Sequence, residues 1–196
     1  MLQIHTLALG MLRTNTYIIH AEGSNKCCII DPACDAHRIL DKLSELGLDA
    51  EAILLTHGHF DHVGAVADLA DQTDCRVFLC AEDLSMPTGL TGGALRYTNT
   101  YSGGDRLTFA GLIIDVLHTP GHTPGSVCLL VEDVIFSGDT LFAGSCGRTD
   151  LPGGSWATMI QSLKRLAQLE ANRTVYPGHG ESTTLDAERQ YNPYMQ

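Results

Sequence analysis

The sequence predicts a mixed α/β domain whose helices cover the outer faces of β-sheets. Short apolar strand-like runs alternate with segments of helical periodicity along its 196 residues, and a helix with one apolar face must bury it against a neighbouring layer. The composition, 44% hydrophobic and 18% charged with 20 glycines, is that of a globular chain with many turns. One domain spanning residues 1–196 suffices for such a length, with a sizeable core.

The first thirty residues read as a meander of three strands, "QIHTLAL", "NTYIIH" and "CCIIDP", separated by Gly10 and the turn-rich "EGSNK". Asp35 is placed to cap a helix with Ile39, Leu40, Leu43 and Leu46 on one face, and Gly47 to close it in the left-handed conformation. The run "AILL" leads into "THGHFDH", after which Val63, Val66, Ala67 and Ala70 recur at helical steps, so the histidine-rich segment joins a strand to a helix. "RVFLC" reads as another strand, whereas residues 84–104, rich in Gly, Thr and Ser, show no period and are expected to form a loop. "DRLTFAGLIIDVLH" predicts two strands meeting near Gly111, and "SVCLLVEDVIFSGD" two strands turning at Glu132 and Asp133. Ser155 is placed to cap a helix with Met159, Ile160, Leu163, Leu166 and Ala167 on one face. "RTVYPGHG" supplies a last short strand and "LDAERQY" a terminal helix. "ILLTHGH" and "DVLHTPGH" echo each other, both running from an apolar strand into a histidine-bearing turn.

Twelve basic against 23 acidic residues give a net charge of -11 with no basic cluster, which argues against nucleic-acid binding because a phosphate backbone would be repelled. No apolar segment approaches the roughly 20 residues needed to span a bilayer. The N-terminal stretch is broken by His5, Arg13 and Asn15, where a secretory signal needs an unbroken apolar run. A cytoplasmic protein without membrane contact is expected. The seven cysteines lie mostly in apolar runs without zinc-ribbon or Cys-x-x-Cys spacing, as buried thiols in a reducing compartment would.

Within positions 57–62 stand His57, His59, Asp61 and His62. If the preceding strand continues through His57 and His59, their side chains leave on one face and converge, while Asp61 and His62 face a second point. Imidazole and carboxylate suit zinc, iron and manganese. One short loop cannot enclose two ions, but His122 in "TPGHTPG", Asp139 after "VIFSG" and His179 in "YPGHG" each follow an apolar strand. Side chains from such strand ends can meet at one rim of a sheet. His5, His20 and His37 are expected to be exposed or satisfied locally, and His118 to be structural. Cys146 has no sequence-adjacent base, and no G-x-S-x-G elbow is present, which argues against nucleophilic Cys or Ser chemistry. Arg148 and Asp150, in the Gly-rich "FAGSCGRTDLPGGS", are candidates either to recognise substrate or to pin that loop to itself.

The ordered set H-x-H-x-D-H, H, D, H resembles the metal-binding pattern of the metallo-β-lactamase superfamily over essentially the whole chain, most closely its glyoxalase II-like branch. The resemblance implies a four-layer αβ/βα sandwich of two mixed β-sheets flanked by helices, with two divalent ions at one edge. Zinc is expected, with iron or manganese accepted by the same ligands. Carried over by position, His57, His59 and His122 would hold the first ion, Asp61, His62 and His179 the second, and Asp139 would bridge them. His59, Asp61 and Asp139 would be the catalytic set. Two ions about 3.5 to 4 Å apart lower the pKa of a shared water to near 7, and the implied reaction is attack of that hydroxide on a small thioester of the hydroxyacylglutathione kind. "GRTD" also resembles persulfide dioxygenases, in which only the positions of His57, His122 and Asp139 bind a single iron, and the same hydroxide could open a lactone. Glyoxalase II enzymes add a C-terminal helical domain with glutathione-binding residues; this sequence ends at Gln196 before any such domain, so a glutathione site is not implied.

Overall fold

The N-terminal meander forms as β1 (Leu2–Leu9), β2 (Thr14–Ala21) and β3 (Lys26–Ile30), all antiparallel neighbours. In the computed structural model, which describes residues Met1–Gln196, the chain then leaves the meander through α1 (Ala36–Leu46) and returns as β4 (Asp49–Leu54), parallel to β3. A second excursion through α2 (Phe60–Val63) and α3 (Val66–Thr73) leads to β5 (Arg76–Cys80), parallel to β4. A 3₁₀ turn at Ala81–Ser85 and α4 (Thr88–Thr91) precede β6 (Asn99–Tyr101), which completes a six-stranded mixed sheet in the order β1-β2-β3-β4-β5-β6.

The second sheet begins with β7 (Arg106–Phe109), β8 (Leu112–His118), β9 (Val127–Val131) and β10 (Val134–Gly138). A two-residue-per-strand hairpin, β11 (Leu141–Phe142) with β12 (Ser145–Cys146), and then α5 (Trp156–Ala167) follow. The chain re-enters the sheet as β13 (Thr174–Pro177), parallel to β10, and ends with β14 (Thr183–Thr184) and α6 (Leu185–Tyr191). The sheet order is β14-β13-β10-β9-β8-β7.

Strand alternation explains the layering. In β2, Ile19 points between the sheets with Ile30, Leu54, Ile114, Leu129 and Phe136, whereas its neighbour Ile18 points outward onto Ile39 of α1 and Leu69 of α3. Ile135 and Val175 of the second sheet likewise face outward onto Met159, Leu163 and Leu166 of α5. Strands buried on both faces read as continuous apolar runs, and each fully buried Ile or Leu contributes about 1.5 to 3 kcal/mol. The result is the four-layer sandwich, helix on sheet on sheet on helix.

Several expectations need correction. Asp35 sits at the N-cap of α1 in the left-handed conformation, and its side chain accepts no helical N–H; the aspartate marks the turn without capping it. Gly47 does close α1 with φ 66°, and the Ser155 hydroxyl accepts the Thr158 N–H at the start of α5. Residues 84–104 are not a featureless loop: they carry α4 and β6, elements too short to show a period, and Tyr101 is buried with its hydroxyl donating to the Leu55 carbonyl. β4 stops at Leu54, so His57 and His59 do not share a strand face. Leu55 and Thr56 are instead held by the Phe78 carbonyl and the Asp31 carboxylate. No helix is long and apolar enough to cross a membrane.

Candidate metal centre

All seven expected donors lie at the same edge of the sandwich. His57, His59 and His122 gather with ligand atoms within 4.8 Å of one another, and so do Asp61, His62 and His179. Asp139 stands between the groups: its Oδ2 is 3.4 Å from His122 Nε2 and 3.6 Å from His179 Nε2, and its Oδ1 is 3.4 Å from His62 Nε2. Within the groups, His59 Nδ1 lies 2.8 Å from His122 Nε2, and Asp61 Oδ2 lies 3.2 Å from His179 Nε2. Glycine makes the convergence possible, because a Cβ on Gly178 would fall 2.3 Å from Asp139 Oδ1 and 2.7 Å from His62 Cε1.

Five of the seven candidate donors are aimed by a partner behind them. His122 Nδ1 meets the Arg148 carbonyl at 2.7 Å and His179 Nδ1 the Leu12 carbonyl at 3.2 Å. A carbonyl can only accept, so both Nδ1 atoms carry a proton and both Nε2 atoms are turned toward the site; in the metal-free site His179 Nε2 donates to Asp61, which with Asp139 raises His179 against its burial. His62 Nδ1 donates to Asp31 Oδ2 at 2.9 Å, and Asp31 also accepts from the Thr56 hydroxyl at 2.6 Å and the Thr56 N–H at 2.7 Å. With its hydrogen committed to Asp31, the Thr56 oxygen accepts from His57 Nδ1 at 3.1 Å. The Thr14 hydroxyl donates to Asp61 Oδ2 at 3.0 Å. Asp83, fully buried, ties the two metal-site loops together by accepting from Gly58 N, Thr123 Oγ1 and Gly125 N at 2.8, 2.9 and 2.6 Å.

This arrangement leaves His57 Nε2, His59 Nε2, His62 Nε2 and Asp139 Oδ1 buried with no hydrogen-bond partner. Unpaired buried polar atoms are rare because each forfeits its hydration. Four at one point, with imidazole lone pairs and carboxylates converging, match a place for divalent cations. The electrostatics agree. Burial, then the neighbouring imidazoles, hold His57 well below the usual histidine range, and the same causes push His59 down to about 4; neutral imidazole is the metal-binding form. Burial alone would raise the Asp61 carboxyl, but the bond from His179 and the charge of His62 hold it well below its ordinary value. Asp139 is lowered for a similar reason, burial being outweighed by His62. His62 goes the other way: burial is overcome by Asp139 and Asp31, which raise it well above the usual histidine range, so a cation seated there would have to displace the proton on its Nε2. His57 faces imidazoles and His62 faces carboxylates, so the acidic half of the site draws positive charge.

Arg148 and Asp150 form a bidentate pair with each other at 2.7 and 2.8 Å, both side chains exposed, which pins their loop. Arg148 still borders a cavity of about 500 Å³ that has His59, Asp61, His122, Asp139 and His179 on its floor and Leu12, Phe60, Leu90, Phe142 and Leu151 as apolar walls. Cys146 is half-buried on β12, and burial pushes its thiol up. The remaining histidines stay outside the site: His5 and His20 stack on each other, His37 is exposed, and His118 Nε2 donates to the Pro124 carbonyl at 2.8 Å. Sequence reasoning missed Asp31, Thr14 and Asp83. Asp31 ends the apolar run "CCIID", the same strand-end signal that exposes Asp139, whereas Asp83 follows β5 in a segment without any pattern.

The metallo-β-lactamase superfamily model matches residues 9–179. Hydroxyacylglutathione hydrolase GloC of Haemophilus influenzae is 32% identical, covering 99% of this chain and 98% of its own. Among solved structures, the BLEG-1 B3 metallo-β-lactamase superposes with TM-score 0.90 at 34% identity over 99% of this chain and all of its own. TTHA1623 in a di-iron-bound form gives 0.86 at 39% identity, covering 97% and 99%. ETHE1 from Myxococcus xanthus gives 0.86 at 31%, covering 97% and 83%.

Proposed function

The chain belongs to the metallo-β-lactamase superfamily, and from that premise we propose that it is a two-metal hydrolase cleaving a small thioester of the hydroxyacylglutathione kind. The observation that carries the reading is the pair of three-donor groups meeting at Asp139, with four orphaned donor atoms, on the floor of an open cavity. A purely structural ion is closed off by four protein ligands, whereas a catalytic one keeps a position open.

In this reading His57, His59 and His122 would hold one ion and Asp61, His62 and His179 the other, with Asp139, which lies between the two groups, available to both. When bound, two such ions lower the pKa of a water they share and polarise a carbonyl oxygen. The chain's own residues do the rest. His59, Asp61 and Asp139 border the cavity where the carbonyl must lie. Asp31, Thr56, the Arg148 carbonyl and the Leu12 carbonyl keep a proton on Nδ1 of His62, His57, His122 and His179. Asp61, held by Thr14 and His179, is placed to take up a proton as the thiolate leaves. Zinc is the metal we expect, iron or manganese being accepted by the same donors. The free thiols suit the cytoplasm.

A second reading, an iron-dependent persulfide dioxygenase using His57, His122 and Asp139 alone, draws on the likeness to ETHE1; lactone hydrolysis would use the same site as thioester hydrolysis. Elemental analysis of the purified protein, combined with S-lactoylglutathione, lactone and glutathione persulfide as substrates, separates them. Two ions per chain with thioester hydrolysis is the expected result. One ferrous ion with oxygen uptake on the persulfide would overturn the proposal.

A further inference from the structure

Beside the metal-site cavity lies a second one of about 300 Å³, and the two share Leu12, Phe60 and Asp61. Its remaining side-chain walls are Leu9, Met11, Ala33, Cys34 and Thr14. Thr14 already spends its hydroxyl hydrogen on Asp61, so the interior offers a ligand hydrocarbon and sulfur surface and little else. Its rim is apolar too. Met11 and Leu12 on the β1–β2 turn are 100% and 55% exposed, and Phe60 on the opposite bank is 52% exposed. Large apolar side chains turned to water on both sides of an apolar cavity gain when an apolar ligand covers them.

Resting on the hydrolase reading above, we infer that this second cavity receives the acyl chain of the substrate, and that the chain is apolar and of medium length. The leaving thiol then occupies the larger cavity beside Arg148. Polarity assigns the two ends. A thiol of the glutathione class carries amides and carboxylates, which would lose their water in the smaller cavity without gaining partners. A hydrocarbon chain loses nothing there. The shared residue Asp61 places the cavity mouth at the metal centre, where the acyl carbonyl must sit. A cavity of about 300 Å³ has room for more than a lactoyl group.

The test is a series of N-acetylcysteamine thioesters with acetyl, butyryl, hexanoyl and octanoyl groups, assayed on the metal-loaded protein. Burial of a methylene allows up to about fourfold in kcat/KM, and a rise of at least about 30-fold from acetyl to hexanoyl is expected. Cys34→Phe, which fills the cavity from a side chain outside the metal donors, should cut the octanoyl-to-acetyl ratio at least tenfold. A flat series in the unaltered protein, or an undiminished ratio in the variant, would overturn the inference. A readout independent of turnover is the alkylation rate of Cys34 by iodoacetamide in metal-free protein, with the half-buried Cys146 as internal reference. Saturating octanamide should slow Cys34 at least fivefold relative to Cys146 while acetamide leaves it unchanged; equal slowing or none refutes the acyl cavity. Protection of Cys34 without hydrolysis of any thioester would sink the hydrolase reading and keep the cavity, and hydrolysis with a flat series would do the opposite.

Discussion

Replacing Asp31 with Asn tests whether the site is aimed from behind. The carboxylate is 2% exposed and accepts three bonds: from Thr56 N at 2.7 Å, Thr56 Oγ1 at 2.6 Å and His62 Nδ1 at 2.9 Å. An amide cannot replace it in either orientation. With the amide oxygen toward His62, the NH₂ opposes the Thr56 N–H and strands a buried donor, which costs about 1 to 3 kcal/mol of folding stability. With the oxygen toward Thr56 N, the NH₂ donates to His62 Nδ1, forces the ring proton onto Nε2 and removes the lone pair that faces Asp61 and Asp139. Loss of a carboxylate behind a ligating imidazole typically weakens metal binding about 10- to 100-fold. The expected result is therefore a folding loss of about 1 to 3 kcal/mol in urea titration of the metal-free protein, together with a drop of about 10- to 100-fold in affinity for one of two zinc equivalents in chelator competition. Both equivalents binding within about threefold of the unaltered protein would refute the assignment of His62 and its tautomer, since the expected effect is at least tenfold.

His59→Ala and Asp139→Asn should each lower thioester kcat by at least about 100-fold, the scale of losing an essential electrostatic element, while circular dichroism stays that of the folded protein; unchanged turnover in either contradicts the mechanism. Removing metal with EDTA should abolish hydrolysis, and two equivalents of zinc should restore it where one does not, as read by a titration of rate against added metal. Asp83→Ala should cost about 2 to 4 kcal/mol in urea unfolding, because three buried donors lose a charged acceptor at once and such losses add incompletely. Arg148→Ala, by contrast, removes an exposed ion pair and should move stability by less than about 1 kcal/mol; a larger loss would show that the loop depends on it.

How much of this was legible depended on the length scale of the pattern. Strands buried on both faces announce themselves as apolar runs, and the helices α1 and α5 show their Ile39 and Leu43, or Met159 and Leu163, at helical steps. The seven candidate donors were legible because His and Asp gather just beyond apolar runs, four of them within "THGHFDH" after "AILL" and the others in the turns after later strands, where packing gives no reason for an ionisable group. Residues 84–104 were opaque for the opposite reason. α4 spans four residues and β6 three, less than one period of any amphipathic signal, and what holds β6 in the sheet is parallel pairing with β5 and the burial of Tyr101, both long-range facts.

The same contrast separates the donors from the residues behind them. His57 and His59 were expected to converge because a strand would present them on one face, yet β4 ends before them and they converge all the same. What replaces the strand is a hydrogen-bonded scaffold: Asp31 holds Thr56, Thr56 holds His57, and Asp83 holds Gly58 against the loop that carries His122. Each of those contacts joins segments 25 or more positions apart, apart from the one between neighbours Thr56 and His57. A short motif can therefore gather candidate donors, while their tautomers and angles are set by acceptors elsewhere in the chain. It follows that substitutions at Asp31 or Asp83 should degrade metal affinity or folding without touching any residue of the H-x-H-x-D-H segment.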